Sequence, residues 1–350
     1  MGSLYPICDG NAWGYIDATG SVAIECQYLS AQPFCCGLAR VVIPHSKNEN
    51  GTSAFIDANG NIEIGPGPPK AGYDGYESWN ELLEHGATPN WAYGDFANER
   101  AIFRDLTMHR GVGYITRSGR LICLGFNDGY DFSNNVAIVF LESKFRKPAF
   151  IDSEGNVTVT PDVLWCGHLS EDFAVFSKQI DGRKMFGYLD VEGQAAVDAK
   201  FVSASKFSHG IALVRTTSGF GFIDASGSYV VHPTLRDASN CSDGYALAFD
   251  SGEGYILNSR GETVSNVDLD VDADLWIEEA EDGMFLVGAD VDGEERYGFV
   301  DPGGKPIVGL TLKSAYPFRN GLALVSQNEY VRYIDSSGEV IWESKDWKLD

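Results

Sequence analysis

One short phrase recurs along the whole chain, and this repetition constrains the fold more than any other feature. Its clearest copy, Phe207–Gly227, reads Phe-Ser-His-Gly-Ile-Ala-Leu-Val-Arg, then a short turn, then Phe-Gly-Phe-Ile-Asp-Ala-Ser-Gly. The smallest spacing between copies is 34 residues, and a period of this size predicts stacked structural repeats. Aligned on the Asp of the second half, seven clear copies and two degenerate ones lie at Asp17, Asp57, Thr116, Asp152, Asp190, Asp224, Asn258, Asp301 and Asp335.

Each half of the phrase predicts short β-strands joined by tight turns. Leu-Ala-x-Val and Tyr-Ile-Asp are alternating runs rich in aromatic and β-branched residues, as in strands. In Asp-x-x-Gly the carboxylate can accept main-chain hydrogen bonds and the glycine can adopt positive φ, so the chain turns there. A third short strand follows, for example at Val22–Ile24 or Val157–Val159. We therefore expect three-stranded antiparallel meanders that stack, because one meander cannot bury its apolar face alone.

The nine predicted units favour a single all-β array over residues 1–350. The first unit lacks a preceding Phe-x-x-Gly-Leu-Ala strand, and the last unit, Tyr333–Trp342, supplies no replacement for it. A ring closed by exchange of a terminal strand would show complementary ends, and nine exceeds the usual number of propeller blades. The prediction is an open, curved or superhelical array, with a closed β-propeller-like ring as the alternative.

A glycine precedes the aromatic residue of the second half in five units, at Gly14, Gly113, Gly187, Gly221 and Gly298. A glycine inside a strand indicates a bulge or the close approach of another main chain. With Trp13-Gly14-Tyr-Ile-Asp and the Phe-x-x-Gly-Leu-Ala-x-Val half, the chain resembles the WG-repeat family. Ala54 and Ala149 stand where the family has the glycine. The resemblance implies a repeat scaffold, and it implies no activity and no catalytic residues.

The second unit is predicted to carry an insertion over residues 65–100. Gly65–Pro69 interrupts strand pairing, and Ser78–His85 has the pattern of a short helix ended by a glycine. This segment either packs over the repeat core or forms an aromatic binding surface for a protein or a sugar. The candidate binding residues in it are Tyr73, Tyr76, Trp79, Trp91 and Tyr93.

The seventh unit is predicted to carry an acidic insertion over residues 262–296. Residues 268–295 hold 12 Asp and Glu and no Lys or Arg. A strand over 268–274 would place alternate carboxylates on one face. That face is either solvated, a docking surface for a basic protein, or a calcium site, although Asp290-Val-Asp-Gly293 does not meet the EF-hand spacing. The candidate partner-binding residues are Asp268, Asp270, Asp272, Asp274, Trp276, Glu278 and Glu279.

Composition narrows the classes of partner and compartment. A net charge of −24 repels nucleic acid and anionic lipid and attracts basic proteins. The chain has no apolar run near 18 residues and no signal-peptide pattern, so we expect a cytoplasmic protein without a membrane span. Seven cysteines with no paired C-x-x-C spacing predict buried free thiols. Neither a metal nor a cofactor is predicted.

The leading functional hypothesis is a non-enzymatic scaffold that binds another protein. In its most specific form, this is a bacterial immunity or adaptor protein whose acidic face binds a basic partner. The first alternative is a carbohydrate- or cell-wall-binding module that uses the aromatic residues of the second unit. The second alternative is a hydrolase with paired carboxylates, for which the sequence shows no catalytic motif.

Overall fold

The structure is a computed structural model, and it describes residues 3–45, 48–65, 91–105, 111–141, 147–250, 253–267 and 275–347. These residues form antiparallel β-strands and no helix. The chain divides into two compact units. Unit 1 contains Met1–Asp172 with Val191–Gln194, and unit 2 contains Phe173–Asp190 with Ala195–Asp350.

Unit 1 contains a three-stranded sheet followed by three four-stranded sheets. In each sheet the neighbouring strands are antiparallel, and the order across the sheet follows the chain. The strands of the four sheets are β1 (Leu4–Cys8), β2 (Trp13–Asp17) and β3 (Val22–Tyr28); β4 (Ser30–Ala31), β5 (Ala39–His45), β6 (Asn48–Ile56) and β7 (Ile62–Ile64); β8 (Trp91–Ala97), β9 (Arg100–Asp105), β10 (Gly111–Thr116) and β11 (Leu121–Phe126); β12 (Asp128–Gly129), β13 (Ala137–Phe140), β14 (Pro148–Ile151) and β15 (Val157–Val159). Strand β16 (Trp165–Ser170) also belongs to unit 1.

Unit 2 begins with three antiparallel strands and continues with four four-stranded sheets of the same topology. The strands are β17 (Phe173–Ile180), β18 (Arg183–Leu189) and β19 (Ala195–Phe201); β20 (Ser203–Ala204), β21 (Ile211–Arg215), β22 (Phe220–Asp224) and β23 (Tyr229–Leu235); β24 (Asp237–Ala238), β25 (Tyr245–Asp250), β26 (Glu253–Asn258) and β27 (Thr263–Val267); β28 (Leu275–Glu281), β29 (Met284–Val291), β30 (Glu294–Val300) and β31 (Pro306–Leu312); β32 (Ser314–Ala315), β33 (Leu322–Gln327), β34 (Tyr330–Asp335) and β35 (Val340–Ser344).

The all-β repeat prediction is confirmed, and the count of three strands per repeat is wrong. The missed strand is the first of each sheet, which is only two residues long in β4, β12, β20, β24 and β32. Two residues give no alternation that a sequence pattern can register. A four-stranded antiparallel meander is the form of a β-propeller blade, so these sheets fit the propeller-like alternative. The open, curved arrangement is not confirmed.

The glycine before the aromatic residue makes room for a bulge in the last strand of the sheet. In the β22–β23 pair, Phe220 lies opposite Leu235 and Phe222 lies opposite Val231, so β23 carries two extra residues opposite Gly221. A Cβ atom on Gly221 would lie 2.5 Å from the Val231 carbonyl oxygen. The same register shift accompanies the glycine in the sheets that contain β3, β19 and β31.

The two alanine exceptions support this explanation. Ala54 and Ala149 are fully buried at the position of the glycine. The last strands of their sheets, β7 and β15, are three residues long, whereas the bulged strands β3, β19, β23 and β31 each have seven. The last strand therefore ends before the place where it would meet the alanine methyl group.

The Asp-x-x-Gly turns are closed by the carboxylate, as expected. Asp224 Oδ1 accepts hydrogen bonds from the main-chain N–H groups of Ser226 at 2.9 Å and Ser228 at 3.0 Å. Asn258 makes the same two bonds through its amide oxygen, so the acceptor does not have to be charged. Hydrogen bonds from neighbouring side chains and N–H groups lower the pKa of the turn carboxylates at Asp17, Asp57, Asp152, Asp224 and Asp335.

These lowered pKa values predict acid sensitivity that originates in the turns. A carboxylate whose pKa is lower in the folded state stabilises it fully above the unfolded pKa, near 4, and this contribution disappears as pH falls through the folded value. A variant with Asn at all five turn positions should keep the acceptors and lose this part of the acid sensitivity. Thermal unfolding midpoints at about pH 7, 4 and 3 measure the effect. An equal decline in variant and wild type would contradict it.

The hydrophobic core lies between successive sheets inside each unit. A Phe in the first half of one repeat packs against the aromatic residue in the second half of the preceding repeat, with ring centroids 4.7–5.0 Å apart. Where that residue is tyrosine, its hydroxyl donates a hydrogen bond to a main-chain oxygen, as Tyr188 does to Ser205 at 2.8 Å. The repeated phrases are therefore the contacts through which one sheet holds the next. The pairs are Tyr15–Phe34, Phe55–Phe96, Tyr114–Phe132, Tyr188–Phe207 and Phe299–Phe318.

Both predicted insertions include residues that belong to regular sheets. Of the segment 65–100, residues 91–97 form strand β8, where Phe96 is buried against Phe55. Of the segment 262–296, residues 275–281 and 284–291 form β28 and β29 of a complete four-stranded sheet. Sequence analysis missed both because these repeats lack the Leu-Ala phrase. The helix predicted at Ser78–His85 lies outside the described residues.

Candidate partner-binding surface

The described residues include part of each predicted binding region. Trp91 and Tyr93 lie on β8, opposite Asp105 and Phe103 of β9. Trp276, Glu278 and Glu279 lie on β28. The remaining predicted residues, Tyr73, Tyr76, Trp79, Asp268, Asp270, Asp272 and Asp274, lie outside the described part of the chain.

Trp276 lies across the sheet on the main chain of β29. It is opposite Gly288, and a Cβ atom there would lie 2.5 Å from the indole atoms Cε2 and Nε1. The absence of a side chain at Gly288 therefore lets the indole lie flat on the strand. The indole Nε1 donates a hydrogen bond to Glu278 Oε1 at 2.5 Å, which holds the carboxylate beside the ring.

A bulge places two successive glutamates of β28 in solvent. Ile277 lies opposite Val287 and Glu279 lies opposite Leu286, so Glu278 is the extra residue between them. In a regular strand, successive side chains point to opposite faces of the sheet. Here both Glu278 and Glu279 are exposed. The bulge thus increases the density of negative charge on this strand.

The hairpin between β29 and β30 adds four carboxylates at Asp290, Asp292, Glu294 and Glu295. Asp290 Oδ1 accepts the Gly293 N–H at 2.7 Å, and Glu294 pairs with Arg296. The Tyr297 hydroxyl donates to Glu295 Oε2 at 3.2 Å. The pKa of Tyr297 is raised by desolvation, by this hydrogen bond and by the charges of Glu295 and Glu278. Both glutamates are therefore close enough to Tyr297 to influence its hydroxyl group electrostatically.

Two further carboxylates of the same sheet have structural partners. Glu281 Oε2 accepts from Arg319 Nε at 3.1 Å, and Asp282 Oδ2 accepts the Gly321 N–H at 2.8 Å. Both contacts join this sheet to the turn before β33. Glu281 and Asp282 therefore hold neighbouring sheets together and contribute less to a binding surface.

We call the remaining group the acidic surface of sheet β28–β31. A lysine or arginine that approaches it meets carboxylates together with the indole face of Trp276 and the ring of Tyr297. Carboxylates form charge-assisted hydrogen bonds with such cations, and aromatic faces attract them. No three His, Cys, Asp or Glu of the described residues are arranged to hold a metal ion. The surface comprises Glu278, Glu279, Asp290, Asp292, Glu294 and Glu295 with Trp276 and Tyr297.

Unit 1 contains a group of mixed charges that sequence analysis missed. Arg40 Nε pairs with Asp95 Oδ1 at 2.9 Å, and Arg104 Nη2 pairs with Asp128 Oδ1 at 2.9 Å. Both pairs join the second strand of one sheet to the first strand of the next. The sequence did not predict these ion pairs, because Asp95 and Asp128 lie on first strands that the repeat pattern did not indicate.

Asp131 lies beside these ion pairs and has an unusual environment. Surrounding protein atoms desolvate the carboxyl group and raise its pKa, and the charge of Asp95 acts in the same direction. The charges of His168 and Arg104 oppose the shift.

The surface of unit 2 has a depression with a volume of about 430 Å³. Asp243 is the one carboxylate among the described residues that line it. It does not provide the pair of carboxylates that the hydrolase alternative requires.

Comparisons with known proteins find segments that are similar to one repeat family and solved structures that are similar in fold. Three segments, residues 13–43, 186–217 and 297–330, match the family model of the WG containing repeat. No curated protein matches the chain. No helix in the described part of the chain has the length and apolar character required to cross a membrane.

Solved structures resemble the chain at low sequence identity. One, described as "Crystal structure of the eukaryotic initiation factor", has a TM-score of 0.58 and 10% identity, with 98% of this chain and 96% of that chain covered. Another, Hsv2 of Kluyvelomyces marxianus, has a TM-score of 0.41 and 10% identity, with 71% and 93% covered. The similarity to the first structure supports the fold alone, and the similarity to the second is too low to support any conclusion.

Proposed function

Since three segments of the chain match the WG containing repeat, we propose that the protein is a non-enzymatic scaffold that binds a basic protein through the acidic surface of sheet β28–β31. A repeat β-sheet fold of this kind is in general a platform for protein interaction. The more specific role that we propose is that of an adaptor or immunity protein, which covers a basic surface of its partner.

The observation that carries the proposal is the local imbalance of charge around Trp276. The segment 275–296 holds eight carboxylates and one arginine. Two of the carboxylates have partners in the neighbouring sheet, and Glu279 and Asp292 have none among the described residues. Concentrating like charges on one sheet costs stability through repulsion, so a cationic partner would relieve it. The four aspartates at 268–274 precede this sheet directly and add to the same charge.

The surface also has the composition of a recognition site. Trp276 is half-buried and fixed by its contacts with Gly288 and Glu278, so little conformational entropy is lost when a partner covers it. Trp, Tyr and Arg are enriched among the residues that contribute most to binding. We therefore expect arginine side chains of the partner to contact Trp276 and Glu278, with the outer carboxylates steering the approach.

Two binding experiments with the same variants test this proposal. One measures affinity for an oligo-arginine peptide, and the other compares which proteins from native cells each variant retains. The first variant replaces Glu278, Glu279, Glu294 and Glu295 by Gln and Asp292 by Asn, all within the acidic surface. It should bind the peptide at least about tenfold more weakly at 50 mM salt, and its affinity should depend less on salt. Titration by fluorescence anisotropy at 50 and 200 mM salt measures both quantities.

The matched control removes the same number of charges from exposed turns and loops outside sheet β28–β31. It carries Asn or Gln at Glu154, Asp162, Asp181, Glu192 and Glu339. Proteins retained by the wild type and by this control, and lost by the first variant, would be partners of the acidic surface. If both variants lose binding equally, only the net charge matters. That result, or unchanged binding by the first variant, would contradict the proposal.

A further inference from the structure

Two adjacent cysteines occupy one tight turn of unit 1, and neither is explained by the fold. Cys35 and Leu38 exchange main-chain hydrogen bonds of 2.9 and 3.0 Å, which close a two-residue turn. Cys36 and Gly37 form the turn with φ of 54° and 76°. Cys35 is exposed and Cys36 is partly exposed, whereas Cys8, Cys166 and Cys241 are buried. The prediction of buried thiols is therefore wrong for this pair, and also for Cys26 and Cys123, which are partly exposed.

The other repeats show that the turn itself does not require cysteine. The position of Cys35 holds serine in three of them, at Ser133, Ser208 and Ser242, each bridged to the residue three positions later. The position of Cys36 also adopts positive φ in the other repeats, where residues such as asparagine tolerate it best. It is occupied there by Asn134, His209, Asp243, Asp282 and Asn320. Both cysteines thus depart from residues that this chain uses in the same geometry.

The two sulfur atoms are placed to share one ligand. Cys35 Sγ and Cys36 Sγ lie 3.5 Å apart. A tetrahedral centre with sulfur ligands at about 2.3 Å holds two of them about 3.8 Å apart, so little movement is required. Sulfur ligands select soft metals and metalloids over hard cations. We propose that Cys35 and Cys36 form a dithiol site for a thiophilic metal or metalloid, with trivalent organoarsenicals as the diagnostic ligands.

The surroundings favour a ligand that reacts with neutral thiols. Desolvation, the hydrogen bond to Cys36 and the charges of Asp95 and Asp131 raise the pKa of Cys35 to about 11. The Cys35 sulfur therefore carries a proton at neutral pH when no ligand is bound. With an organoarsenic oxide, two S–H bonds break and two As–S bonds form, and the oxygen leaves as water with both protons. Arsenic stays trivalent, so the step needs no oxidant or reductant.

Phenylarsine oxide tests this site on the reduced full-length protein. We expect one arsenic per chain and the loss of two titratable thiols, measured by intact-protein mass spectrometry and thiol counting. Ethanedithiol should remove the adduct, and an equal concentration of thiol as 2-mercaptoethanol should not. Cys35→Ser and Cys36→Asn should each weaken binding at least about 100-fold, because the second sulfur no longer acts within one molecule.

These substitutions introduce residues that other repeats use in the same turn, so folding should be preserved. Cys26→Ser is the control, since Cys8 acts electrostatically on Cys26 and these two thiols are the alternative pair. Wild-type affinity in Cys26→Ser, together with loss in Cys35→Ser and Cys36→Asn, supports the proposal. Equal binding by a Cys35→Ser, Cys36→Asn double variant, or loss of the adduct in Cys26→Ser alone, would overturn it.

Discussion

Replacing Phe207 by Ala should lower the free energy of unfolding by about 4 kcal/mol, the usual cost of removing a buried phenylalanine ring. Phe207 is fully buried. Its ring lies 4.7 Å from that of Tyr188 and 4.9 Å from that of Phe173, between centroids. The substitution leaves a cavity at the contact between two successive sheets of unit 2. Urea denaturation followed by tryptophan fluorescence and by circular dichroism measures the loss.

Tyr316→Ala is the control for this prediction. Tyr316 is a comparable aromatic residue near the start of a repeat, and it is 47% exposed. A substitution at an exposed site of this kind usually changes stability by less than about 0.5 kcal/mol. If Phe207→Ala costs no more than Tyr316→Ala, the contact between the two repeated phrases does not hold the sheets together.

The second large effect is expected for Gly221→Ala, which should lower the free energy of unfolding by about 3 kcal/mol. The added methyl group would lie 2.5 Å from the Val231 carbonyl oxygen and 2.8 Å from Pro233 Cα. Both are main-chain atoms of the bulged strand β23, so they cannot move aside as a flexible side chain would. Overpacking of this kind typically costs 1–3 kcal/mol, and more when the surroundings are rigid. The same denaturation assay applies.

Gly309→Ala provides the matched comparison, because it also adds one methyl group to a strand glycine, in this case in the last strand, β31. No atom lies within 4 Å of a Cβ placed there, and its φ is outside the left-handed region. We expect no loss of stability, or a small gain, since alanine restricts the unfolded chain. A similar loss in both variants would show that the bulge is not the reason for the glycine.

For the acidic segment 262–296, the sequence predicted the charged residues but not their arrangement in a sheet. The run of carboxylates, which is visible in the sequence, identified Glu278 and Glu279 as candidates, and Trp276 was included because it closely follows the aspartates of this run. Sequence analysis treated the segment as an insertion, since this repeat lacks the Leu-Ala phrase and has Glu281 at the end of its first strand and Asp282 in the turn that follows. Only the register of β28 against β29 shows the bulge that exposes two successive glutamates.

The sequence by itself determined that the chain is built from repeats, how many repeats there are, and which residue types occupy their turns. Nine turn positions were found because a carboxylate or its equivalent and a glycine are needed wherever the chain reverses, and that requirement is local. The glycine beside the aromatic residue was correctly associated with a close main-chain approach. These features involve residues within one repeat, so they leave a regular trace in the chain.

Tertiary structure decided what depends on neighbours distant in the chain. The two-residue first strands exist because they pair with the following strand, and their own residues carry no signal. The ion pairs Arg40–Asp95 and Arg104–Asp128 and the 3.5 Å approach of the Cys35 and Cys36 sulfurs depend on how strands and turns are placed in space. A periodic pattern specifies which face of a strand is buried, and packing between sheets decides which polar side chains meet.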